Sequence, residues 1–377
     1  GLGAAGGPPA CSQGAGDAHN ITRVSTFGHT WTFSPKFLWD ASFGWSRLEA
    51  DSVPPGLGVN FGLDTLRIPG TNGTDPRVGG IPNFSVTGYT SLGNMESWNP
   101  YFNNCNTNWT TTQNFGLIKG AHDLRFGFEG NRHNINDYSP ELSFTRGSFT
   151  FNQTVASARG AASNQFNAQA AYLLGLPATM AKSMQWEMLT GYNWQFGGFL
   201  RDRWQASQNL TVTLGLRYEL YPLMTRAGRG GIEWWDSATN LIQLGGAGGI
   251  PKGVGITTSH RLFAPRLGLA YRLNPSTVIR SGYGLTYIPL PLLSGPQMRG
   301  SYPLTIAQTF TGPNTYTPYA PLSQGIPAFR GPDPGVGQVL LPPTVLLKNY
   351  SEKQISRGYI QSWNFIVERT LPANLVA

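Results

Sequence analysis

Residues 210–222, with the sequence LTVTLGLRYELYP, alternate between apolar and polar side chains. This two-residue period predicts a β-strand with one apolar face, because successive side chains of a strand point to opposite sides. In a soluble sandwich that face would meet a second sheet, and in a membrane barrel it would meet lipid. The apolar face consists of Val212, Leu214, Leu216, Tyr218 and Leu220.

The same pattern recurs along the chain and predicts further strands, with short turns and long stretches alternating between them. The predicted strands cover residues 20–33, 36–50, 109–119, 122–137, 180–206, 210–222, 261–273, 277–289 and 358–370, and another begins near Asn374. The short turns lie at Ser34-Pro35, Lys119-Gly120-Ala121, Ser207-Gln208-Asn209, Asn274-Pro275-Ser276 and Leu371-Pro372-Ala373. The long, irregular, Gly/Pro-rich stretches are 51–108, 138–179, 223–260 and 290–357.

This alternation of connection lengths decides the predicted fold. Structureless loops beyond about fifteen residues are uncommon in soluble domains, and here one follows every second strand. An outer-membrane barrel produces this order, because short periplasmic turns at one rim alternate with long loops at the other. The predicted fold class is therefore all-β: a transmembrane antiparallel β-barrel with long extracellular loops. Loops and strands of this length favour a partial barrel, with about ten strands of a larger one.

The stretch 180–206 carries the alternation furthest. Over residues 184–204 the even positions are mainly apolar and the odd positions mainly polar, which predicts a strand that extends about 70 Å over these residues, with Trp194 facing lipid and Gln195 facing the lumen. Asp202 interrupts the apolar face close to a turn, where headgroups and water would solvate it. Aromatic residues near the short turns predict a girdle: Trp31, Phe33, Phe37, Trp39, Trp204 and Tyr271. Other aromatic residues predicted to face outward are Phe126, Phe128, Phe196, Tyr283, Tyr287, Trp363 and Phe365.

Composition supports the membrane interpretation. Only 12% of the residues are charged, about half of the usual globular share, and the chain contains 48 glycines. No apolar run is long enough for a transmembrane helix, so contact with a membrane would be made by strands. The sequence predicts a flexible low-complexity segment over residues 1–19 and a partial barrel domain over residues 20–377.

Several stretches resemble the barrel of TonB-dependent outer-membrane receptors, and most of all the Oar-like branch with its carboxypeptidase-regulatory-like domain. The similarity covers about residues 20–377 and consists of strand-and-turn motifs in a fixed order. The motifs are GGIPNFSVTGYTSLGN (79–94), NFGLIKGAHDLRFGFEGNRH (114–133), AAYLLGLP (170–177), FGGFLRDRWQASQNLTVTLGLRYELYP (196–222), FAPRLGLAYRLNPSTVIRSGYGLTY (263–287) and YIQSWNFIVERTLPANLVA (359–377).

This resemblance implies features that the 377 residues do not display. Members of the family have a plug domain with an energy-coupling box that contacts TonB, and about twenty-two barrel strands. The resemblance therefore implies a barrel fragment whose partners are outer-membrane lipid and lipopolysaccharide, the TonB system through a plug not present in this chain, and an unknown solute.

No catalytic, cofactor-binding or metal-binding residue is predicted. The five histidines (His19, His29, His122, His133 and His260) lack the spacing of metal ligands, and no P-loop, GxSxG or GxGxxG motif occurs. The glycine cluster at 245–249 is best interpreted as a loop. Cys11 and Cys105 allow one disulfide, but they are equally consistent with two free thiols.

The net charge of +8 raises the question of a nucleic-acid partner. The basic residues are scattered and form no basic run, which argues against nucleic acid. Loop residues Arg226 and Arg229 are candidates for contacts with lipopolysaccharide phosphate. Arginines at lumen positions are Arg125, Arg201, Arg203, Arg217, Arg266 and Arg272. They either attract anionic solutes or pair with lumen carboxylates, of which candidates are Glu129, Glu187 and Glu219.

Two functions follow from this fold, and a third from a different one. A TonB-dependent transporter would import a scarce solute, and no enzyme activity is implied. The alternative is an adhesion or structural barrel that binds surface ligands without transport. A secreted β-sandwich or propeller that binds carbohydrate through its Trp and Tyr residues is the third interpretation, and it would need no membrane.

Overall fold

Strands dominate the computed structural model. The structure describes residues 17–53, 56–93, 101–138, 145–186, 188–227, 232–289, 302–328, 331–343, 354–355 and 357–371. The strands are β1 (Asp17–Ser34), β2 (Phe37–Val53), β3 (Asn83–Val86), β4 (Tyr101–Lys119), β5 (His122–Asp137), β6 (Ser148–Phe151), β7 (Thr179–Gln185), β8 (Leu189–Gln205), β9 (Leu210–Leu220), β10 (Thr225–Ala227), β11 (Glu233–Asp236), β12 (Leu241–Leu244), β13 (Thr257–Thr258), β14 (Phe263–Asn274), β15 (Thr277–Tyr287), β16 (Thr305–Thr311), β17 (Gln338–Leu340), β18 (Gln354–Ile355) and β19 (Tyr359–Arg369). The helical segments are α1 (Gln165–Leu173), a single π-helical turn at Phe61–Thr65 and the short 3-10 helices Pro76–Val78, Leu322–Gln324 and Pro334–Val336. Among these residues, no helix combines the length and the apolar character needed to cross a bilayer.

One antiparallel sheet of ten strands, the main sheet, organises the described chain. Its path is β1-β2-β4-β5-β8-β9-β14-β15-β19, and the short β10 joins it by pairing with β8. Strands that follow each other in the sequence lie side by side, so the sheet is an up-and-down meander. The predicted all-β class and the antiparallel strand order are confirmed.

Short hairpin turns join alternate pairs of strands at one edge of the main sheet, the short-turn rim. The turn after β4 uses Gly120, whose φ of 59° is left-handed and costs glycine little. The turn after β14 is held by Asn274, whose Oδ1 accepts hydrogen bonds from the backbone N and the Oγ of Ser276 at 3.0 and 2.9 Å. The long connections leave from the opposite edge, the long-loop rim.

The curvature of the main sheet distinguishes an inner face from an outer face. Asp40 on β2 and Arg266 on β14 line one cavity of about 910 Å³, although four strands lie between β2 and β14 along the sheet. The sheet therefore curls around this cavity. On the outer face, Leu200 of β8 lies opposite Leu216 of β9, and the two residues are 54% and 48% exposed. The predicted alternation of a polar inner face and an apolar outer face is confirmed for these strands.

The prediction of one strand over residues 180–206 is wrong, because the structure divides this stretch. β7 pairs with β6 and β16 in a separate sheet, and only β8 belongs to the main sheet. β8 has 17 residues, which corresponds to about 57 Å rather than 70 Å. The alternation continues across the break because Met180 is buried in a protein core, whereas Trp194 lies on the outer face. A period of two does not distinguish burial in protein from exposure to lipid.

The long connections are also not the irregular stretches that the sequence predicts. Their described residues 56–93, 145–186, 232–258, 302–328 and 331–343 fold together at the long-loop rim into what we call the loop assembly. Within it, β16, β7, β6 and β3 form one sheet, and β11, β12 and β17 form another. β3 and β6 run parallel although they come from different connections. The sheets give partners to backbone groups that burial would otherwise leave unsatisfied.

Two neighbouring hydrophobic clusters stabilise the loop assembly. Phe149, Phe151 and Met180 are 0% exposed, and α1 packs on them through Ala168 and Ala171. The second cluster consists of Ile242, Leu244, Tyr302, Ile306 and Val339. β7 and β16 contribute side chains to both clusters, which makes the assembly one packed layer rather than four separate loops.

Candidate functional site: the inner face and the loop assembly

Arginine and carboxylate side chains line the inner face of the main sheet. Arg217 on β9 lies between two carboxylates: its Nε is 2.8 Å from Glu219 Oε1, and its guanidinium also contacts Glu129 on β5. Glu219 is only 4% exposed, so the guanidinium compensates a carboxylate that water scarcely reaches. The predicted pairing with Glu129 and Glu219 is confirmed for Arg217, whereas Glu187 lies outside the described residues.

A second group of charges lies on β5 and β8 nearer the short-turn rim. Asp123 is 3.5 Å from the Arg201 guanidinium and 3.7 Å from Arg125 Nε. Other inner-face arginines form no ion pair with any residue that the structure describes: Arg203, Arg266 and Arg272. The inner face therefore carries uncompensated positive charge, which favours anionic groups.

A smaller cavity of about 380 Å³ lies within the loop assembly, where several long connections meet. Lys182 on β7 lies in its wall, and its Nζ donates to the carbonyl oxygen of Gly70 at 2.7 Å and to that of Asn72. Burial lowers the pKa of Lys182 to about 8, because desolvation disfavours the ammonium form. At neutral pH the side chain is still mostly charged and fastens residues 70–72 to β7.

Tyr138 lies in the wall of the same cavity, close to cationic side chains. The Arg77 guanidinium lies 3.8 Å from the Tyr138 ring centroid and forms an ion pair with Asp75 at 2.7 Å. Burial lowers the pKa of Arg146, which is also near Tyr138, to about 10, and raises the pKa of Tyr138 to about 12. Both groups therefore keep their protons at neutral pH, and the cavity wall presents hydrogen-bond donors and positive charge.

The prediction that loop arginines contact lipopolysaccharide phosphate is wrong for Arg226. Its guanidinium binds both carboxylate oxygens of Glu233, one of them at 2.9 Å, and the two side chains are 6% and 2% exposed. Burial raises the pKa of Glu233 even though Arg226 opposes this effect. The pair ties β10, which extends the main sheet, to β11 of the loop assembly. Arg229 lies outside the described residues.

The described residues contain no group of three His, Cys, Asp or Glu side chains arranged to hold a metal ion. His122 contacts Asp202, with its Nδ1 2.7 Å from Asp202 Oδ2. This contact gives Asp202 a polar partner on the outer face beside a turn, whereas its solvation by headgroups and water stays a prediction. Cys11 lies outside the described residues, so a disulfide with Cys105 stays a prediction.

Aromatic side chains form two bands on the outer face. The first lies along the short-turn rim, where the predicted girdle residues are found; Phe33 and Phe37, for example, stack with ring centroids 5.0 Å apart. The second band was not predicted, although counting residues from each turn reveals it. Its members lie ten or eleven residues from the short-turn end of their strands: Trp109, Trp194, Phe263, Tyr287 and Tyr359.

The outer face between the two bands is mainly apolar and has the height of a bilayer core. Ten residues extend about 34 Å along a strand, and a strand tilt of about 40° reduces this to about 26 Å along the membrane normal. Outer-membrane barrels have an apolar band about 25 Å tall between two aromatic girdles. The geometry of the outer face therefore fits a bilayer-spanning surface.

A family model described as "Outer membrane beta barrel domain" matches residues 3–377 of this chain. The chain belongs to this outer membrane β-barrel family. The barrel is located in the bacterial outer membrane. A search of curated proteins found no match.

Solved structures show a distant similarity to this chain. The ferric-catecholate import receptor Fiu from E. coli is 11% identical, with 95% of this chain and 39% of that chain covered and a TM-score of 0.39. A mutant ferric enterobactin receptor PfeA from Pseudomonas aeruginosa is 14% identical, covering 78% and 37%, with a TM-score of 0.31. The toluene transporter TbuX from Ralstonia pickettii is 10% identical, covering 71% and 56%, with a TM-score of 0.22. The barrel chain thus corresponds to about two fifths of the length of the two receptors.

The position of the bilayer midplane gives a first test of the lipid-facing surface. Leu200 lies five residues from the short-turn end of β8 and six from Trp194, so it is close to the midplane. Leu200→Arg should cost about 2–4 kcal/mol, because the guanidinium would enter the hydrocarbon core. Trp194→Arg should cost less, since Trp194 lies at the interface.

Asn114→Arg is the matched control for this prediction. Asn114 lines the inner cavity near Asp40, so a new guanidinium there would find water and a carboxylate. The measurement is denaturant titration of each variant reconstituted in lipid. Equal costs for Leu200→Arg and Asn114→Arg would contradict the assignment of the outer face to lipid.

Proposed function

We propose that this barrel is part of a TonB-dependent receptor of the Oar-like branch and imports a scarce solute. The observation that carries the proposal is the charged inner face, where Arg203, Arg266 and Arg272 have no carboxylate partner among the described residues. Uncompensated positive charge around a wetted cavity favours anionic solutes over neutral or cationic ones. The order of the strand-and-turn motifs supports the choice of family.

In this proposal the two cavities act in succession. A solute first meets the loop assembly at the long-loop rim, which faces the exterior in barrels of this kind. The Lys182 cavity offers it donors and positive charge before it reaches the inner face. Energy comes from the TonB system, acting through a plug domain that is supplied outside residues 1–377.

Uptake in the native host tests this function. Cells that carry the wild-type gene, a gene deletion or a tonB deletion are grown in one defined medium, and mass spectrometry follows the loss of each solute from it. We expect the same solutes to remain in the medium of both deletion strains. Unchanged uptake in the gene-deletion strain would contradict the transporter proposal.

A variant with Arg203→Gln, Arg266→Gln and Arg272→Gln tests the role of the inner face. We expect uptake of anionic solutes to fall about tenfold, because three positive charges along the path are removed. Gln361→Ala on the outer face is the control and should transport like the wild type, since it faces lipid. If both variants lowered uptake equally, transport would not depend specifically on the inner-face arginines.

The alternative function, adhesion without transport, is favoured by a different observation. α1 presents Phe166 and Leu173 outward, followed by its C-cap residue Leu174, and the three are 68%, 75% and 65% exposed. An apolar helix face on a packed loop layer suits a protein or polymer ligand. If the gene deletion changes attachment of the cells to surfaces but no solute uptake, adhesion replaces transport as the proposed function.

A further inference from the structure

Three arginines stand out on the lipid-facing side of the barrel because they lie at one height. Arg47 and Arg132 are each ten residues from the short-turn end of their strands, and Arg23 is eleven residues from it. The second aromatic band lies at the same distance from the short-turn rim. The arginines therefore lie at the headgroup level of the leaflet next to the long-loop rim.

The pairing of the strands places these arginines close together. Arg23 and Arg47 are direct cross-strand partners on β1 and β2, and β4 alone separates β2 from β5, which carries Arg132. With strands about 4.8 Å apart, the backbone positions span about 14 Å along the barrel wall. A single lipid headgroup with several acidic groups could contact all three.

The charges of this cluster do not cancel. Glu49 pairs with both Arg23 and Arg47, at 3.1 and 2.8 Å, so one carboxylate serves two guanidiniums. Arg132 forms no ion pair with a carboxylate of the described chain. The four side chains together carry a charge of about +2, and like charges placed directly opposite each other in a sheet repel.

Aromatic side chains hold Arg132 at the membrane interface. Its guanidinium carbon lies 5.3 Å from the ring centroids of both Tyr192 and Trp194. Such cation–π contacts fix the guanidinium against the girdle while leaving room for an additional anionic partner. Arg23 and Arg47 keep 50% and 38% of their side-chain surface exposed, and Arg132 is half-buried, so each of the three side chains retains surface that faces the bilayer.

We propose that Arg23, Arg47 and Arg132 form a binding site for the phosphates of lipopolysaccharide on the outside of the barrel. Arginine binds phosphate through two parallel N–H···O bonds, which makes it suited to phosphorylated headgroups at this height. At the opposite rim, by contrast, the outer-face carboxylate of Asp202 pairs with His122. The site does not depend on whether the barrel transports or adheres.

Retention of lipopolysaccharide tests the site. The full-length protein is purified from outer membranes in a non-ionic detergent, and native mass spectrometry measures binding of purified lipopolysaccharide to it. Basic residues near an anionic surface contribute about fivefold each to affinity. We therefore expect R132Q to bind about fivefold more weakly than the wild type, and R23Q/R47Q/R132Q to lose at least about 90% of the bound lipid.

Three controls make the test decisive. R369Q removes an arginine at the short-turn end of β19 and should bind like the wild type. Lipopolysaccharide treated with phosphatase should bind the wild type as weakly as intact lipid binds the triple variant. Heat-modifiable mobility on gels identifies the variants that still fold. If the triple variant does not fold, the lipopolysaccharide binding of R132Q alone tests the proposal. Wild-type binding by R132Q, equal losses in R369Q and R132Q, or full binding of dephosphorylated lipid would each overturn the proposal.

Discussion

Phe149→Ala should unfold the loop assembly while leaving the main sheet intact. Phe149 is 0% exposed and stacks on Phe84 with ring centroids 5.3 Å apart, which joins two separate long connections. Removing a buried aromatic ring costs about 3–5 kcal/mol, because transfer energy and packing contacts are both lost. We expect amide hydrogen exchange in β6, β7 and β16 to accelerate by more than about 100-fold, with β14 and β15 unchanged.

Phe166→Ala is the matched control for this prediction. Phe166 lies on the exposed side of α1 and is 68% exposed, so its removal creates no cavity. The amide hydrogen exchange rates of the Phe166→Ala variant should equal those of the wild type. If Phe149→Ala accelerated exchange equally in the loop assembly and the main sheet, the two parts would unfold together, and the loop assembly would not be a separate cooperative unit.

Glu233→Leu should destabilise the loop assembly by a similar amount, about 3–5 kcal/mol. The change leaves the Arg226 guanidinium buried without its bidentate partner, and an uncompensated buried charge is among the most costly defects in a protein. Hydrogen exchange of β10 and β11 measures the loss. The double variant Arg226→Met/Glu233→Leu should recover most of it, since an apolar pair of similar volume replaces the ion pair.

The single variant Arg226→Met should behave differently because the carboxyl group can take up a proton. Burial already raises the pKa of Glu233 above 4.5, and loss of Arg226 raises it further. A group with a raised pKa in the folded state contributes stability below its unfolded pKa and loses it as pH rises. The variant should therefore be most stable near pH 4 and weaken towards pH 7; a pH-independent loss would contradict this account.

The outer face of the barrel was predictable from the sequence because it depends on local period. Leu214 and Leu216 alternate with polar residues, and the strands that contain them are joined by turns with Gly, Asn and Pro. Both signals involve residues that are neighbours in the chain, so no knowledge of distant contacts is needed. The inner-face positions of Arg201 and Arg217 follow from the same period.

The loop assembly was not predictable, because distant contacts create it. β3 and β6 are strands of four residues that pair across about sixty-five positions, and strands this short between Gly and Pro give almost no periodic signal. The break between β7 and β8 was missed for a related reason. Apolar side chains face a protein core on one side of it and lipid on the other, and the sequence looks alike in both.

The candidate sites also differ in whether they depend on local periodicity or on contacts between distant residues. The inner-face arginines follow from strand parity, whereas the partner of Arg226 is Glu233, which only the tertiary structure identifies. The row formed by Arg23, Arg47 and Arg132 needs both kinds of information: parity places each arginine on the outer face, and strand pairing brings them to one height. The sequence by itself determined most of the barrel strands, their faces and their turns, because these depend on backbone geometry repeated every two residues. Only the tertiary structure decided which loops pack together and which charges meet, because burial and pairing depend on residues far apart in the chain.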